Sequence, residues 1–199
     1  MKKQALKIKL SLSGAIMLVA LFLTHSYLSL AAIIAATLHE LGHVIMAKIC
    51  KIELCELKLG IFGASLSSRP LLCSYKKEIA LCLAGPLVNL ISALIASRFY
   101  SFNTEFLAFF ISASLFLGVL NLLPIHEFDG GRILFCLLSL RFSITVVARI
   151  IRIASFILIF SLWCLSVYLL LRLSSSVSLF VFSLSLFARI FLSQQENYC

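Results

Sequence analysis

His39-Glu40-Leu41-Gly42-His43 sets two imidazoles four residues apart, with a carboxylate beside the first of them. On a helix, positions i and i+4 lie one above the other on the same face, so His39 and His43 can offer two neutral ring nitrogens to a single Zn²⁺. Glu40 stands one residue round from His39. There its carboxylate can reach a zinc-bound water and act as general base, the role this spacing serves in soluble metalloproteases. The flanks, Ala31-Ala-Ile-Ile-Ala-Ala-Thr-Leu38 and Val44-Ile-Met-Ala47, read as membrane helix. An ionisable group at the centre of a membrane helix costs about 2.5 to 3.5 kcal/mol on insertion scales, so His39, Glu40 and His43 point to a functional centre inside a bilayer.

A catalytic zinc takes three protein ligands and keeps one position open, so the pair needs a third partner. Asn121-Leu-Leu-Pro-Ile-His-Glu-Phe-Asp-Gly-Gly-Arg132 contains Asp129, the only aspartate of the chain. Asp129 is the best candidate, although Asp-Gly is also ordinary turn chemistry. Pro124 and Gly130-Gly131 are expected to break the helix here and to free backbone groups that line a polar cavity without facing lipid.

The elements that must carry these residues are membrane spans. Hydrophobic residues make up 62% of the 199 and charged residues 13%, far from the roughly half apolar, quarter charged balance of soluble domains. The expected fold class is an all-α polytopic membrane protein of about six transmembrane helices, near 11–29, 31–50, 78–97, 105–124, 153–171 and 176–192. The chain reads as one membrane-embedded peptidase domain, 1–199, with a catalytic core at 30–135, accessory helices at 145–192 and no appended soluble domain. The basic Met1-Lys-Lys lead imitates a signal peptide, but no cleavage site precedes His25-Ser26, so the first run is read as a retained span.

With a cytoplasmic N-terminus, 15 of the 17 Lys and Arg residues fall on the inner side and only Arg98 and Arg172 outside, a decisive positive-inside split. It predicts a multi-pass protein of a bacterial cell membrane, both termini cytoplasmic and the active site opening toward the cytoplasm. The net charge of +9 is spread over the junctions between spans, which suits anionic lipid and excludes a nucleic-acid stripe. The seven cysteines contain no C-x-x-C pair and argue against a disulfide framework. Lys51 to Gly63 alternates apolar with polar at period two, with a break at Cys55-Glu56. It predicts a short membrane-surface β-hairpin between the second and third spans, whose edge an extended substrate can join, the alternative being an ordered interfacial loop.

H-E-L-G-H in one span and N-x-x-P…D-G in a later one resemble the site-2 protease family of intramembrane zinc metalloproteases. Ala84-Gly85-Pro86-Leu87-Val88-Asn89 is similar to that family's G-P-x-x-N element. The resemblance implies one zinc per chain bound by His39, His43 and Asp129, water activation by Glu40, and organisation of the site or substrate by Gly85, Pro86, Asn89, Asn121 and Pro124. At the level of layout the chain resembles the small stage IV sporulation branch without its C-terminal regulatory domain. Where a second proline often stands it has His126-Glu127, both expected at the cytoplasmic interface, solvated.

The function so implied is a zinc endopeptidase that cuts a membrane-tethered protein within or next to its transmembrane segment. Release of a transcription-factor precursor in sporulation or signalling is the implied outcome, with regulatory membrane proteins or a second copy as further partners. The alternative is a non-enzymatic membrane zinc-binding or transport protein. A carrier needs ligands without an adjacent base and polar groups continuing through the bundle. Glu40 speaks for the enzyme.

Overall fold

The structure, a computed structural model, describes residues 7–10, 27–52, 54–60, 63–68, 74–99 and 104–173. Most of the span expected at 11–29, and all of that at 176–192, lie outside these residues. The backbone divides into two compact units, Met1–Leu123 and Pro124–Cys199.

In the first unit, strands β1 (Lys7–Leu10), β2 (Leu54–Gly60) and β3 (Gly63–Ser68) form one sheet in the order β1-β2-β3. β2 and β3 pair antiparallel with a register shift between Leu54 and Glu56, so Cys55 is the extra residue of a bulge. β1 pairs parallel to β2, Lys7 opposite Glu56 and Leu10 opposite Leu59. The sequence reading treated this stretch only as a basic lead. Yet Lys7-Ile-Lys-Leu10 alternates at period two, and a parallel partner reached through a long crossover leaves no local turn signal.

Among the described residues the unit also holds three helices: α1 (Tyr27–Ile49), α2 (Tyr75–Ser97) and α3 (Thr104–Asn121). All three pack against one another. α1 buries Ala31, Ala35, His39, His43 and Ala47, a stripe at steps of four in which only small residues and the two histidines face inward. α2 buries Leu81, Cys82, Gly85, Asn89 and Ala93 on one face. α3 buries Ser114 and Gly118 one turn apart. Small residues let these backbones approach: a Cβ on Gly42 would lie 2.7 Å from the Ala84 carbonyl oxygen, a contact side chains do not allow.

The outward faces are apolar, with Leu30, Ile34, Leu41 and Ile45 on α1 and Leu87, Ile91, Leu94 and Ile95 on α2 all exposed. Helices apolar all round belong in lipid. Ser29–Ile49, Tyr75–Ser97 and Ile144–Leu169 are long and apolar enough to cross a membrane, and Glu105–Asn121 is a shorter apolar helix. α1 ends in a Schellman arrangement, Ile52 N donating to Ala47 O at 2.9 Å and Lys51 N to Lys48 O at 3.2 Å, with Lys51 in the left-handed region at φ 54°. Lys77 Nζ donates to the Cys50 carbonyl at 3.2 Å, setting a positive charge on the negative end of the α1 dipole.

The second unit opens at Pro124 and holds α4 (Asp129–Leu138) and α5 (Ile144–Leu173), which touch. α5 buries Val147, Ile151, Ser155 and Ile159, again at steps of four. Ser155 Oγ donates to the Ile151 carbonyl and accepts from the backbone N–H of His126, both at 2.8 Å. The break expected at Pro124 and Gly130-Gly131 falls at 122–128, around Pro124, whereas both glycines sit in the first turn of α4. Their small size serves a close approach instead. A Cβ on Gly131 would drive into the Ile125 carbonyl and come within 3.0 Å of His126 Cα.

Candidate metal centre and family

His39 and His43 are both buried within α1. Their Nε2 atoms face each other at 3.2 Å, the rings edge to face at 82° with centroids 4.8 Å apart. Two ring lone pairs at this separation repel unless a proton or cation lies between them. Two nitrogens bound tetrahedrally to zinc at about 2.0 to 2.1 Å stand roughly 3.3 Å apart, so the pair already has the spacing of a metal chelate.

The other ring nitrogens are held from α2. His43 Nδ1 lies 2.8 Å from the Leu81 carbonyl oxygen. A carbonyl only accepts, so the proton is on Nδ1 and the lone pair is on Nε2, the atom that can ligate a metal, the arrangement that fixes most zinc-binding histidines. Pro86 is enclosed in α2; its missing N–H and its ring loosen the turn before it. Leu81 stands just before that turn, and its carbonyl has a second lone pair to give beside its helical bond. His39 Nδ1 lies 3.3 Å from the Asn89 amide nitrogen.

Gly85 faces both rings from α2. A Cβ there would come within 2.8 Å of His39 Nε2 and 2.7 Å of His43 Cε1, so this position has to be glycine if the two Nε2 atoms are to share a ligand. The donor set and the space therefore fit zinc. Glu40, half-buried, is next along α1.

The first unit thus brings together His39, His43, Gly85, Pro86 and Asn89. Asn121 closes α3, its amide donating to the Leu117 carbonyl at 2.9 Å. Pro124 and Asp129 belong to the second unit. Asp129 is the first residue of α4, where a carboxylate complements the helix dipole. His126 is exposed, its Nδ1 3.7 Å from Glu127 Oε1. Hydrogen bonding to the Glu127 carboxylate raises the His126 pKa above its ordinary 6.5, against the opposing effects of partial burial and Arg152. Sequence reasoning missed Leu81 and Ser155. Leu81 left no sequence signal, because the carbonyl whose helical donor Pro86 removes is that of Cys82, four residues before it; Ser155 left none beyond its place in the four-residue stripe of α5.

The peptidase family M50 profile matches residues 98–165, a range that contains Asn121, Pro124 and Asp129. The chain is 33% identical over 161 residues to a zinc metalloprotease of Methanocaldococcus jannaschii. That match takes in 75% of this chain. The backbone resembles the solved site-2 protease from Methanocaldococcus jannaschii with a TM-score of 0.68, over 96% of this chain and 92% of that one at 24% identity.

In sequence the chain is similar to a zinc metalloprotease, and in fold to a site-2 protease.

The buried histidine pair lies on Ser29–Ile49, one of the helices long and apolar enough to cross a membrane. The chain spans 45% of the length of the curated relative it matches.

Proposed function

We propose that this chain is a site-2 protease, which hydrolyses a peptide bond within or next to a transmembrane segment of a membrane-tethered protein. The observation that carries the reading is the buried pair of Nε2 atoms at 3.2 Å, with His43 Nδ1 anchored on Leu81 and Gly85 leaving room opposite. One zinc per chain is held by His39, His43 and Asp129. Two imidazoles and one carboxylate are a donor set that catalytic zinc takes, with one coordination position left for water or substrate.

Zinc, when bound, polarises the scissile carbonyl and lowers the pKa of the attacking water. Glu40 takes the proton of that water on its carboxylate and hands it to the leaving amide nitrogen. Leu81 keeps His43 from swinging, and the apolar helices around the pair keep bulk water away. A helical substrate hides its carbonyl carbons, so the segment has to unwind first. Strand addition would hold it. Because β2 is paired on both sides, an added strand lies along β3 or β1 rather than along 51–63 as a whole.

The six-span layout, the membrane-surface position of the sheet and the cytoplasmic opening belong to the same proposal. The 15-to-2 charge split supports the orientation, and with it the release of a cytoplasmic product such as a transcription-factor precursor. Co-expression with membrane-tethered candidate substrates tests the whole reading. A shortened fragment should appear with the wild type and vanish with Glu40→Gln; a fragment that persists in the variant would mean that another protease made it.

A further inference from the structure

Asn89 is wholly buried, and its Oδ1 has no hydrogen-bond partner while its Nδ2 lies 3.3 Å from His39 Nδ1. The two ends of an amide have nearly the same shape, so which atom faces the ring is decided by protons rather than by packing. With Nδ2 donating to Nδ1, the His39 proton sits on Nε2 and points at His43 Nε2, 3.2 Å away. The three side chains then form a closed chain of hydrogen bonds, and neither Nε2 has a lone pair to give. With the amide turned over, Oδ1 accepts a proton from Nδ1 and the His39 Nε2 lone pair opens toward the same point as that of His43. A buried carbonyl left without a donor forfeits the hydrogen bonds it had with water, and the turned amide removes that cost from Oδ1.

We propose that Asn89 is a positioning residue for the metal: its Oδ1 accepts the Nδ1–H of His39 and holds that ring in the tautomer whose Nε2 ligates. α2 would then hold both metal-binding rings of α1, one through a side chain at Asn89 and one through a backbone carbonyl at Leu81. The inference rests on the zinc reading above.

The test is zinc affinity of the full chain in detergent, by competition with a chelator of known strength, for the wild type, Asn89→Leu and Asn89→Asp. The His39 ring N–H proton is followed by nitrogen-edited NMR in the zinc-loaded proteins. Removing a partner of this kind typically costs 10- to 100-fold in metal affinity, so Asn89→Leu should bind zinc about 10 to 100 times more weakly. Asn89→Asp keeps an acceptor and should match or exceed the wild type. The ring proton should move upfield in the leucine variant and downfield in the aspartate variant. A purely packing role would leave the ring proton in place. Wild-type affinity in Asn89→Leu, or an aspartate variant as weak as the leucine one, would overturn the inference while the wild type still takes up zinc. A wild type that takes up none removes the metal reading itself, and this inference with it.

Discussion

At the residue scale the site separates metal binding from proton transfer. Glu40→Gln keeps the shape of the side chain and its neighbours but cannot accept a proton. Cleavage should fall by about 10²- to 10⁴-fold, the range typical for loss of a general base, while metal analysis of the purified chain still finds one zinc. Retained cleavage would remove Glu40 from its role. His39→Ala should lose the metal as well as the activity, since two remaining ligands rarely hold zinc. Gly85→Ala tests the space between the rings. The added methyl would sit 2.8 Å from His39 Nε2, so one ring has to turn out of line. The expected result is weaker zinc binding and a loss of about 1 to 3 kcal/mol of stability, as overpacked sites show; unchanged zinc affinity would mean the helices part to admit the methyl.

At the element scale, the end of α1 and the loop before α4 carry separate tests. Lys51 holds a left-handed conformation at φ 54°, which glycine adopts without the steric cost of a Cβ, about 1 to 2 kcal/mol. Lys51→Gly should therefore leave thermal stability unchanged or raise it by a few degrees. A marked fall would show that the lysine side chain, not the backbone, closes the helix. The loop offers a pH signature. Glu127 raises the pKa of His126, so the pairing stabilises the folded chain fully below the unfolded pKa near 6.5 and loses its effect as pH rises through the raised folded value. With His126 70% exposed, solvent screening keeps the contribution small. An NMR titration of His126 should show its pKa falling in Glu127→Gln, with desolvation and Arg152 left to act unopposed.

At the scale of the whole molecule, the proposed orientation puts Arg98 outside and Lys77 and Arg141 inside. Single cysteines at these three positions, in a background with the native cysteines replaced, should be labelled from outside only at 98. The reverse pattern would invert the topology and move the opening to the extracytoplasmic face, which excludes a cytoplasmic product released through it. A protein that presents apolar side chains on its outward faces should also require detergent or lipid throughout.

The amino-acid sequence by itself determined the chemistry on offer and the helices that carry it. His39, Glu40 and His43 could be read because helical spacing is local: a four-residue step places side chains on one face whatever surrounds them. α1 and α2 were legible for the same reason, as long apolar runs interrupted by polar residues whose burial demands a use. The contacts that turn these residues into a site were not legible. His43 meets the Leu81 carbonyl across 38 residues and His39 meets Asn89 across 50; no local pattern encodes a partner so distant. α4 was hidden because Gly130-Gly131 has the composition of a turn, and only the crowding against Ile125 shows why glycine is needed inside a helix. β1 was hidden because its partner lies beyond a whole helix. Tertiary packing alone decided which nitrogen of His43 carries its proton and which face of α2 must stay bare, because both follow from distances between helices rather than from order along the chain.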